Sequence, residues 1–308
     1  MIKKIIILCC TVSFINAFRF VDFDISMQSE RYASIVERGY NKQLLHFFSA
    51  LYRQQKKKVL KKSDIALHIP NIMHHVWFGK PLSDEFKQLR KTWTDMHHDW
   101  IYILWTDRAS NDDQAVVVRS FEELQELLDH GFTQRIVVLT DTLAFNNKVH
   151  FDNASNYGER SDILKWEIVY RYGGVYIDTD FECYRPLNEL HYLFDFYTCL
   201  QPLDTGMVQL GAALFAARPY HPILARCVQD ITPGEGPIIV RTGPIHFTNV
   251  CINTLVHSEG YNIVLPSSYF YPCGYEESLQ CPYIWKKPES FGVHHWAGSW
   301  LTADAFVS

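Results

Sequence analysis

The most informative part of this sequence is SDILKWEIVYRYGGVYIDTD, which runs from Ser161 to Asp180. Ser161 is a residue type that commonly caps a helix, and apolar residues then recur at helical spacing as far as Tyr172. The pair Gly173-Gly174 ends the predicted helix, because glycine is the usual residue just past a helix end. The β-branched and aromatic run that follows predicts a short buried strand with two aspartates at its end.

Asp178 and Asp180 are one residue apart, and strand alternation predicts that both lie on the same side. Two carboxylates that share a strand end repel each other and lose solvation, so they need a counter-charge. Carboxylate oxygens suit Mg²⁺ or Mn²⁺, and such an ion can bridge to a diphosphate. An isolated Asp-x-Asp pair is a weak indication, because most such pairs are solvated loop carboxylates. Its meaning therefore depends on the surrounding pattern.

The compound pattern is Ser-Asp-Ile-Leu, a helix, Gly-Gly, an apolar triplet and Asp-Thr-Asp. It resembles the DXD-containing sugar-transferase family, glycosyltransferase family 32, which includes the yeast initiating α-1,6-mannosyltransferase and the inositol-phosphoceramide mannosyltransferases. A more distant likeness is to the glucosylating domain of the large clostridial toxins. The resemblance spans residues 69–300 and implies a retaining glycosyltransferase of GT-A-like α/β fold, with a mostly parallel sheet flanked by helices.

The run from Ile69 to Gly79 predicts the first strand, and it also resembles the first strand of the family. Strands and helices then alternate with short links through residue 139, which favours a parallel α/β sheet with ligands at the carboxyl ends of its strands. The resemblance makes Trp77 the candidate for stacking on the donor base. Without it, Trp77 would be interpreted as a core aromatic.

Asp162, at the expected first helical position, and Lys165 are one helical turn apart. The resemblance implies that Asp162 holds hydroxyls of the donor sugar. It also implies that Lys165, where the family usually has arginine, contacts sugar or phosphate. A simple intrahelical ion pair is the alternative for Lys165. The predicted catalytic residues are Asp162, Lys165, Asp178 and Asp180. The predicted donor-binding residues are Trp77, Asp162, Lys165, Tyr176, Asp178 and Trp300.

Near the C-terminus, the sequence HHWAGSW at 294–300 resembles the place where such transferases supply a third metal ligand. We favour His295, with His294 and Ser299 as alternatives, because imidazole suits Mn²⁺ better than Mg²⁺. The predicted metal ligands are therefore Asp178, Asp180 and His295, with Mn²⁺ or Mg²⁺ as cofactor. Two further segments that resemble the family, 218–222 and 241–244, are predicted to be acceptor-side loops.

The chain has 308 residues, of which 47% are apolar, and a formal net charge of −5. It can bury a large core, and the charge gives no reason to expect nucleic acid. Residues 1–17 are interpreted as a secretory signal peptide, with a buried strand or an uncleaved anchor as alternatives. Residues 18–67 form a predicted helical segment, and 68–308 the GT-A-like catalytic domain. The basic run at 56–62 predicts a solvated helix face or a membrane-surface patch.

Six cysteines follow the predicted signal peptide, and an even number in an exported chain permits disulfides. Cys273 and Cys281 bracket a loop that a disulfide would stabilise. The alternative is a set of buried thiols that act as small apolar residues. Because no Cys-x-x-Cys pair occurs, a zinc ribbon is not expected.

The predicted reaction moves a hexose from a GDP- or UDP-sugar to a hydroxyl of a glycan, glycolipid or protein, in the secretory pathway or after export. Two alternatives come from other classes. A phosphatase of the haloacid-dehalogenase type also uses Asp-x-Asp at a strand end, but would have threonine where this chain has Glu182. A catalytically weakened effector module that only binds the sugar nucleotide is the second, since Lys165 departs from the family pattern.

Overall fold

The computed structural model describes residues 18–62, 66–108, 115–132, 135–232, 236–280 and 286–298. The predicted signal peptide at 1–17 lies outside the described residues, as do Cys281, Ser299 and Trp300. In the part of the chain that is described, no helix is both long enough and apolar enough to span a bilayer.

The described residues form an eight-stranded central sheet, a two-stranded sheet and flanking helices. The strands are β1 (Ile72–Trp77), β2 (Ile101–Thr106), β3 (Val116–Val118), β4 (Arg135–Leu139), β5 (Gly174–Ile177), β6 (Phe181–Cys183), β7 (Phe196–Leu200), β8 (Leu210–Ala217), β9 (Asn262–Leu265) and β10 (Gly292–His294). The helices are α1 (Phe23–Ser26), α2 (Ala33–Val36), α3 (Gly39–Val59), α4 (Asp84–Met96), α5 (Phe121–Asp129), α6 (Lys148–Asp152), α7 (Tyr157–Tyr172), α8 (Asn188–Leu193), α9 (Pro222–Gln229), α10 (Ile238–Arg241), α11 (Pro244–Leu255) and α12 (Tyr275–Gln280).

The strand order of the large sheet is β3-β4-β2-β1-β5-β8-β7-β9. The first five strands in this order, β3-β4-β2-β1-β5, run parallel to one another, as the alternation of strands and helices predicted. Beyond β5 the direction changes, because β8 is antiparallel to both β5 and β7, while β9 is parallel to β7. The predicted fold class, α/β with a mostly parallel sheet flanked by helices, is confirmed.

Helix α7 begins earlier than the sequence suggested. Its N-cap is Asn156, whose side chain accepts a hydrogen bond of 2.9 Å from the backbone N–H of Glu159. The Glu159 carboxylate in turn accepts from the backbone N–H of Ser155 at 2.9 Å. The interpretation of Ser161 as the N-cap was therefore wrong, and Asp162 lies in the second turn of the helix. The Asp162 side chain consequently faces the loop that contains Thr242 and not the N-terminus of the helix.

Gly173 and Gly174 end α7 as predicted, and both have positive φ, +65° and +89°. A Cβ on Gly174 would overlap the carbonyl oxygen of Ile72 in β1, and one on Gly173 would overlap Pro219. Only glycine therefore lets the chain turn from the helix directly into β5, next to β1. The two glycines fix where the strand begins and hence where its end delivers the aspartates.

Strand β5 ends at Ile177, and a turn, not strand alternation, brings the two aspartates together. The backbone N–H of Asp178 donates to the carbonyl of Ala213 in β8 at 2.8 Å. After the turn, β6 pairs with β10 in antiparallel register, with His294 opposite Phe181. This small sheet brings the C-terminal histidines to the end of β5.

The helical segment before β1 packs into the same hydrophobic core as the sheet. The hydroxyl of Tyr52 in α3 lies 3.3 Å from the Tyr269 hydroxyl, and the Phe18 ring stacks on the Tyr269 ring. Part of the basic run is engaged as well, because Lys58 and Lys62 lie over the Tyr261 ring and Lys62 is buried. The run is therefore neither a fully solvated face nor a continuous surface patch.

Four of the cysteines that follow the predicted signal peptide are buried thiols without a disulfide: Cys183, Cys199, Cys227 and Cys251. Burial raises the pKa of each thiol above its usual value. These four match the alternative interpretation, in which cysteine acts as a small apolar residue of the core. The predicted Cys273–Cys281 disulfide involves a residue outside the described chain.

Candidate active site

Asp178, Asp180 and His294 converge at the carboxyl end of β5. One potential ligand atom from each lies within 4.8 Å of the others. His294 Nε2 is 3.2 Å from Asp180 Oδ1, and the other oxygen of Asp180 accepts a 2.9 Å hydrogen bond from the backbone N–H of Ala297. His294 Nδ1 is buried and has no hydrogen-bond partner among the described residues. Two carboxylates and an imidazole are a donor set that fits Mn²⁺.

The two aspartates titrate differently. Burial raises the pKa of Asp178 to about 6; the nearby charge of Lys165 opposes this rise, and that of Asp180 adds to it. Burial alone would also raise the pKa of Asp180, but the imidazole of His294 and the backbone N–H of Ala297 hold it below its usual value. Burial likewise would lower the pKa of His294, yet Asp180 raises it overall. Asp178 is thus the carboxylate whose charge is least compensated.

The histidine beside the aspartates is His294, whereas we predicted His295. The backbone N–H of His295 donates to the carbonyl of Asp180, but its side chain points to Glu182, with Nε2 and Oε2 3.1 Å apart. Adjacent residues at the end of a strand face opposite sides, so only one of the two histidines can face the cluster. Pairing of β10 with β6 selects His294 for that position.

Tyr176 links the strand to helix α7. Its hydroxyl donates to Asp178 Oδ1 at 2.5 Å and lies 3.2 Å from the Ser161 hydroxyl. Burial, together with the charge of Asp178, holds the pKa of Tyr176 well above its usual range. The neutral phenol therefore fixes the orientation of the carboxylate while adding no charge. We predicted Tyr176 as a donor-binding residue, and the structure places its hydroxyl against the cluster.

Asp162 and Lys165 form an ion pair inside the protein. Lys165 Nζ is 2.5 Å from Asp162 Oδ1, and the lysine side chain is only 4% exposed. The ammonium also lies 4.9 Å from the centre of the Trp166 ring and 5.3 Å from that of Tyr176. Burial raises the pKa of Asp162 even though Lys165 opposes the shift. The intrahelical ion pair of the alternative interpretation is thus present, but it is desolvated and not exposed.

The loop at 241–244 lies on the same side as this ion pair. The Thr242 hydroxyl is 3.4 Å from Asp162 Oδ2, and Arg241 forms a 2.7 Å ion pair with the buried Glu159. We predicted an acceptor-side loop, yet it packs against the residue expected to hold the donor sugar. Thr242 is thus a site residue without a predicted role. The other predicted acceptor loop, 218–222, lies at the opposite end of β5, beside Gly173.

Trp77 ends β1 at the same edge of the sheet. It is half-buried, its indole N–H donates to the carbonyl of Lys80 at 2.5 Å, and its ring meets Phe86 edge-on with centroids 5.3 Å apart. The ring is therefore not enclosed in the core as the alternative interpretation required. The second tryptophan predicted to bind the donor, Trp300, lies outside the described residues.

Comparison with known proteins agrees with this site. Residues 83–195 match the family model described as the glycosyltransferase sugar-binding region containing a DXD motif. The match includes helix α7 and both aspartates of the cluster. The predicted resemblance to the DXD-containing sugar transferases, with their GT-A-like fold, is confirmed.

Individual relatives match this chain at low identity. The inositol phosphoceramide mannosyltransferase 3 of Schizosaccharomyces pombe is 29% identical over 147 residues, which cover 44% of this chain and 34% of that protein. A mannosyl phosphorylinositol ceramide synthase of Saccharomyces cerevisiae is 27% identical over 163 residues, which cover 53% of this chain and 35% of that protein. The match thus spans about a third of the length of these relatives. Among solved structures, the PaToxG glycosyltransferase aligns with a TM-score of 0.48 and 15% identity, covering 70% of this chain and 78% of that one.

Proposed function

We propose that this protein is a metal-dependent, retaining glycosyltransferase that moves a hexose from a GDP- or UDP-sugar to a hydroxyl acceptor. The observation that carries the proposal is the cluster of Asp178, Asp180 and His294 at the carboxyl end of β5. The names of the two yeast relatives favour mannose as the sugar and a phosphoinositol glycolipid as the acceptor. Glycan and protein hydroxyls are the other acceptor classes to test.

The cluster would hold Mn²⁺ or Mg²⁺ through Asp178, Asp180 and His294. When bound, the ion supplies positive charge that stabilises the departing nucleoside diphosphate. The protein prepares these ligands through two hydrogen bonds: the Tyr176 hydroxyl orients Asp178, and the backbone N–H of Ala297 orients Asp180. Ligands that are already oriented lose little freedom when the substrate arrives.

Asp162, Lys165 and Trp77 would position the donor. Asp162 would hold hydroxyls of the sugar through Oδ2, which lies 3.4 Å from the Thr242 hydroxyl, while Lys165 holds its other oxygen. Lys165 orients Asp162 and supplies positive charge beside the cluster. Trp77 would stack on the nucleotide base from the end of β1. Retention at the transferred carbon follows the family resemblance.

Donor hydrolysis tests the proposal. The purified protein is incubated with GDP-mannose, UDP-glucose and UDP-N-acetylglucosamine in Mn²⁺, in Mg²⁺ or in EDTA, and released nucleoside diphosphate is measured. We expect release with one donor class that requires the metal. Cleavage of a phosphomonoester would instead identify a phosphatase. Binding of a sugar nucleotide without release, in the presence of candidate acceptors, would identify an effector module.

The two adjacent histidines provide a matched pair of variants for the metal assignment. We expect His294→Gln to raise the Mn²⁺ concentration needed for half-maximal hydrolysis about tenfold or more, because a ligand is lost. His295→Gln, one residue away, should leave that concentration nearly unchanged. A larger effect of His295→Gln would contradict the assignment of His294.

We further propose that the protein acts in the secretory pathway or after export, with residues 1–17 removed, 18–67 as a helical segment and 68–308 as the catalytic domain. The charged and apolar pattern of the first 17 residues supports this. N-terminal sequencing of the protein recovered from a secreting eukaryotic host tests it. A mature chain that starts at Phe18 is expected, and an intact Met1 in the recovered protein would contradict cleavage.

A further inference from the structure

Tyr271 is a buried tyrosine beside the cluster that the sequence did not single out. Its side chain is 1% exposed, and its ring contacts those of His294, Trp296 and Phe181, with centroids 5.6 to 5.7 Å away. Its hydroxyl donates a hydrogen bond to no acceptor among the described residues. An unpaired buried hydroxyl costs roughly 1–3 kcal/mol, and such groups are uncommon in folded proteins. The Tyr271 hydroxyl therefore calls for an acceptor from outside the chain.

The position of the hydroxyl is set by Gly211 in β8. A Cβ at Gly211 would overlap the Tyr271 hydroxyl, so the absence of a side chain there makes room for it. Gly211 lies two residues before Ala213, whose carbonyl accepts a 2.8 Å hydrogen bond from the backbone N–H of Asp178. The Tyr271 hydroxyl therefore lies against the part of β8 that borders Asp178, and the Tyr271 ring contacts that of His294.

We propose that the Tyr271 hydroxyl donates a hydrogen bond to a hydroxyl oxygen of the donor hexose and so contributes to the choice of sugar. This inference rests on the proposed function, because it assigns a further residue to the same site. The phenol hydroxyl of a tyrosine is a neutral hydrogen-bond donor. A neutral donor suits an uncharged sugar hydroxyl, whereas a diphosphate is better matched by the metal and Lys165.

The test is Tyr271→Phe, which removes only the hydroxyl. Equilibrium binding is measured in Mn²⁺ for GDP and UDP and for GDP-mannose and UDP-glucose. We expect the affinity for the accepted nucleotide sugar to fall roughly threefold to tenfold, the usual worth of one hydrogen bond. The affinity for the matching nucleoside diphosphate should stay the same. The melting temperature should be unchanged or higher, because the variant no longer buries an unpaired hydroxyl.

Tyr197→Phe is the matched control. Tyr197 is also fully buried, and its ring stacks on Phe270, next to Tyr271 in the chain. Its hydroxyl is already satisfied, 3.1 Å from His191 Nε2. We therefore expect a lower melting temperature and an unchanged affinity for the nucleotide sugar, the reverse of the pattern for Tyr271→Phe. Gly211→Ala, whose Cβ displaces the Tyr271 hydroxyl, should reproduce the loss of sugar-nucleotide affinity.

Three results would overturn the inference. An unchanged affinity of Tyr271→Phe for the nucleotide sugar would mean that the hydroxyl does not contact the donor. An equal loss for the nucleotide sugar and for its nucleoside diphosphate would place the contact on the phosphates. Failure of the parent protein to bind any of the four ligands would refute the proposed function itself, and this inference with it. The first two results leave the proposed function standing.

Discussion

Helix α7 carries two acid–base pairs, one near each end, and they differ in how completely their charges are matched. At the C-terminal end of the helix, the far end, Glu167 and Arg171 form a 3.1 Å ion pair. The amide of Asn146 donates to both oxygens of the Glu167 carboxylate, at 3.1 and 3.2 Å, and the guanidinium lies 4.4 Å from the centre of the Phe121 ring. Both oxygens of the carboxylate have a partner within the fold, and the single negative charge is matched by one guanidinium.

At the N-terminal end of the helix, the near end, the Asp162–Lys165 pair lies beside two more carboxylates, Asp178 and Asp180. Three acidic groups therefore face one ammonium and the imidazole of His294. In sequence both ends show the same motif, an acid and a base one turn apart on one helix. The two buried ion pairs thus differ in the net charge around them. Excess negative charge around a buried pair indicates a functional site, whereas a pair whose charges cancel indicates a structural role.

The strongest test of this contrast neutralises one carboxylate at each end. We expect Asp180→Asn to lower metal-dependent donor hydrolysis by at least about 100-fold, because a ligand charge is lost with little change in volume. Its melting temperature should stay close to that of the parent. Glu167→Gln should do the opposite, with stability lower by about 1–3 kcal/mol and unchanged hydrolysis per folded molecule. Comparable hydrolysis by Asp180→Asn and the parent would remove the basis for the metal site.

The second test uses pH. With a chelator present, we expect the stability of the parent relative to that of Asp178→Asn to fall as the pH rises from about 4 to 7. The buried histidines with lowered pKa values stabilise the fold as the pH rises, but they do so in both proteins and cancel in this difference. The folded chain binds the Asp178 proton more tightly than the unfolded chain, whose pKa for this group is 3.8, so its ionisation favours unfolding. His294 acts in the same direction as the pH passes above 6.5, whereas the lowered pKa of Asp180 matters only below 3.8.

The size of this pH effect follows from the shift of Asp178 to about 6, which corresponds to at most roughly 3 kcal/mol. Urea unfolding measured across this range, with EDTA or with Mn²⁺, checks it. Excess Mn²⁺ should restore stability at neutral pH, since the ion binds the ionised ligands. In EDTA, the stability of the parent minus that of Asp178→Asn should decrease across this range. A difference that does not change with pH would mean that the charge of Asp178 is matched after all.

Much of the near end could be predicted from the sequence because its signals are local. The glycine pair and the two aspartates stand next to each other in the chain, and their spacing alone places a helix end, a strand and a pair of ligands. The start of the helix could not be found in this way. Asn156 and Ser161 are both acceptable caps, and the choice depends on the partner that Glu159 finds in Ser155.

Other parts depend on pairings that are distant in the chain. Which of two adjacent histidines faces the aspartates is fixed by the register of β10 on β6, more than 100 residues apart. The strands β7, β8 and β9 were not predicted, because runs buried on both faces lack the alternation that identifies a strand. Tyr271 had no signal at all except the absence of a side chain at Gly211.

The third test removes the base of each ion pair while keeping the length of the side chain. Lys165→Met leaves the buried carboxylate of Asp162 unpaired, so we expect donor hydrolysis to fall about tenfold and the melting temperature to fall as well. Lys165→Arg keeps the charge and should retain most activity. Arg171→Met should also lower the melting temperature, because the buried Glu167 carboxylate loses its counter-charge, but it should leave hydrolysis unchanged. Full activity of Lys165→Met would return the pair to a structural role.

The fourth test compares an aromatic side chain at each end of the sheet, and the smallest effect on donor binding is expected at Trp77. Trp77 lies at the carboxyl end of β1, whereas Tyr220 lies at the opposite end, 65% exposed and edge-on to Tyr170. Trp77→Ala should weaken binding of the nucleoside diphosphate by about 1 kcal/mol, the lower end of the scale for a base stacked on an aromatic ring.

We expect the lower end of that scale because one edge of the indole is already engaged with Lys80 and Phe86, which leaves only part of the ring for a base. Tyr220→Ala removes a more exposed aromatic from the other end and should leave nucleotide binding unchanged. Calorimetric titration of both variants with GDP and UDP in Mn²⁺ measures the difference. Equal affinities of Trp77→Ala, Tyr220→Ala and the parent would mean that the base binds elsewhere along the edge, and that Trp77 only covers helix α4.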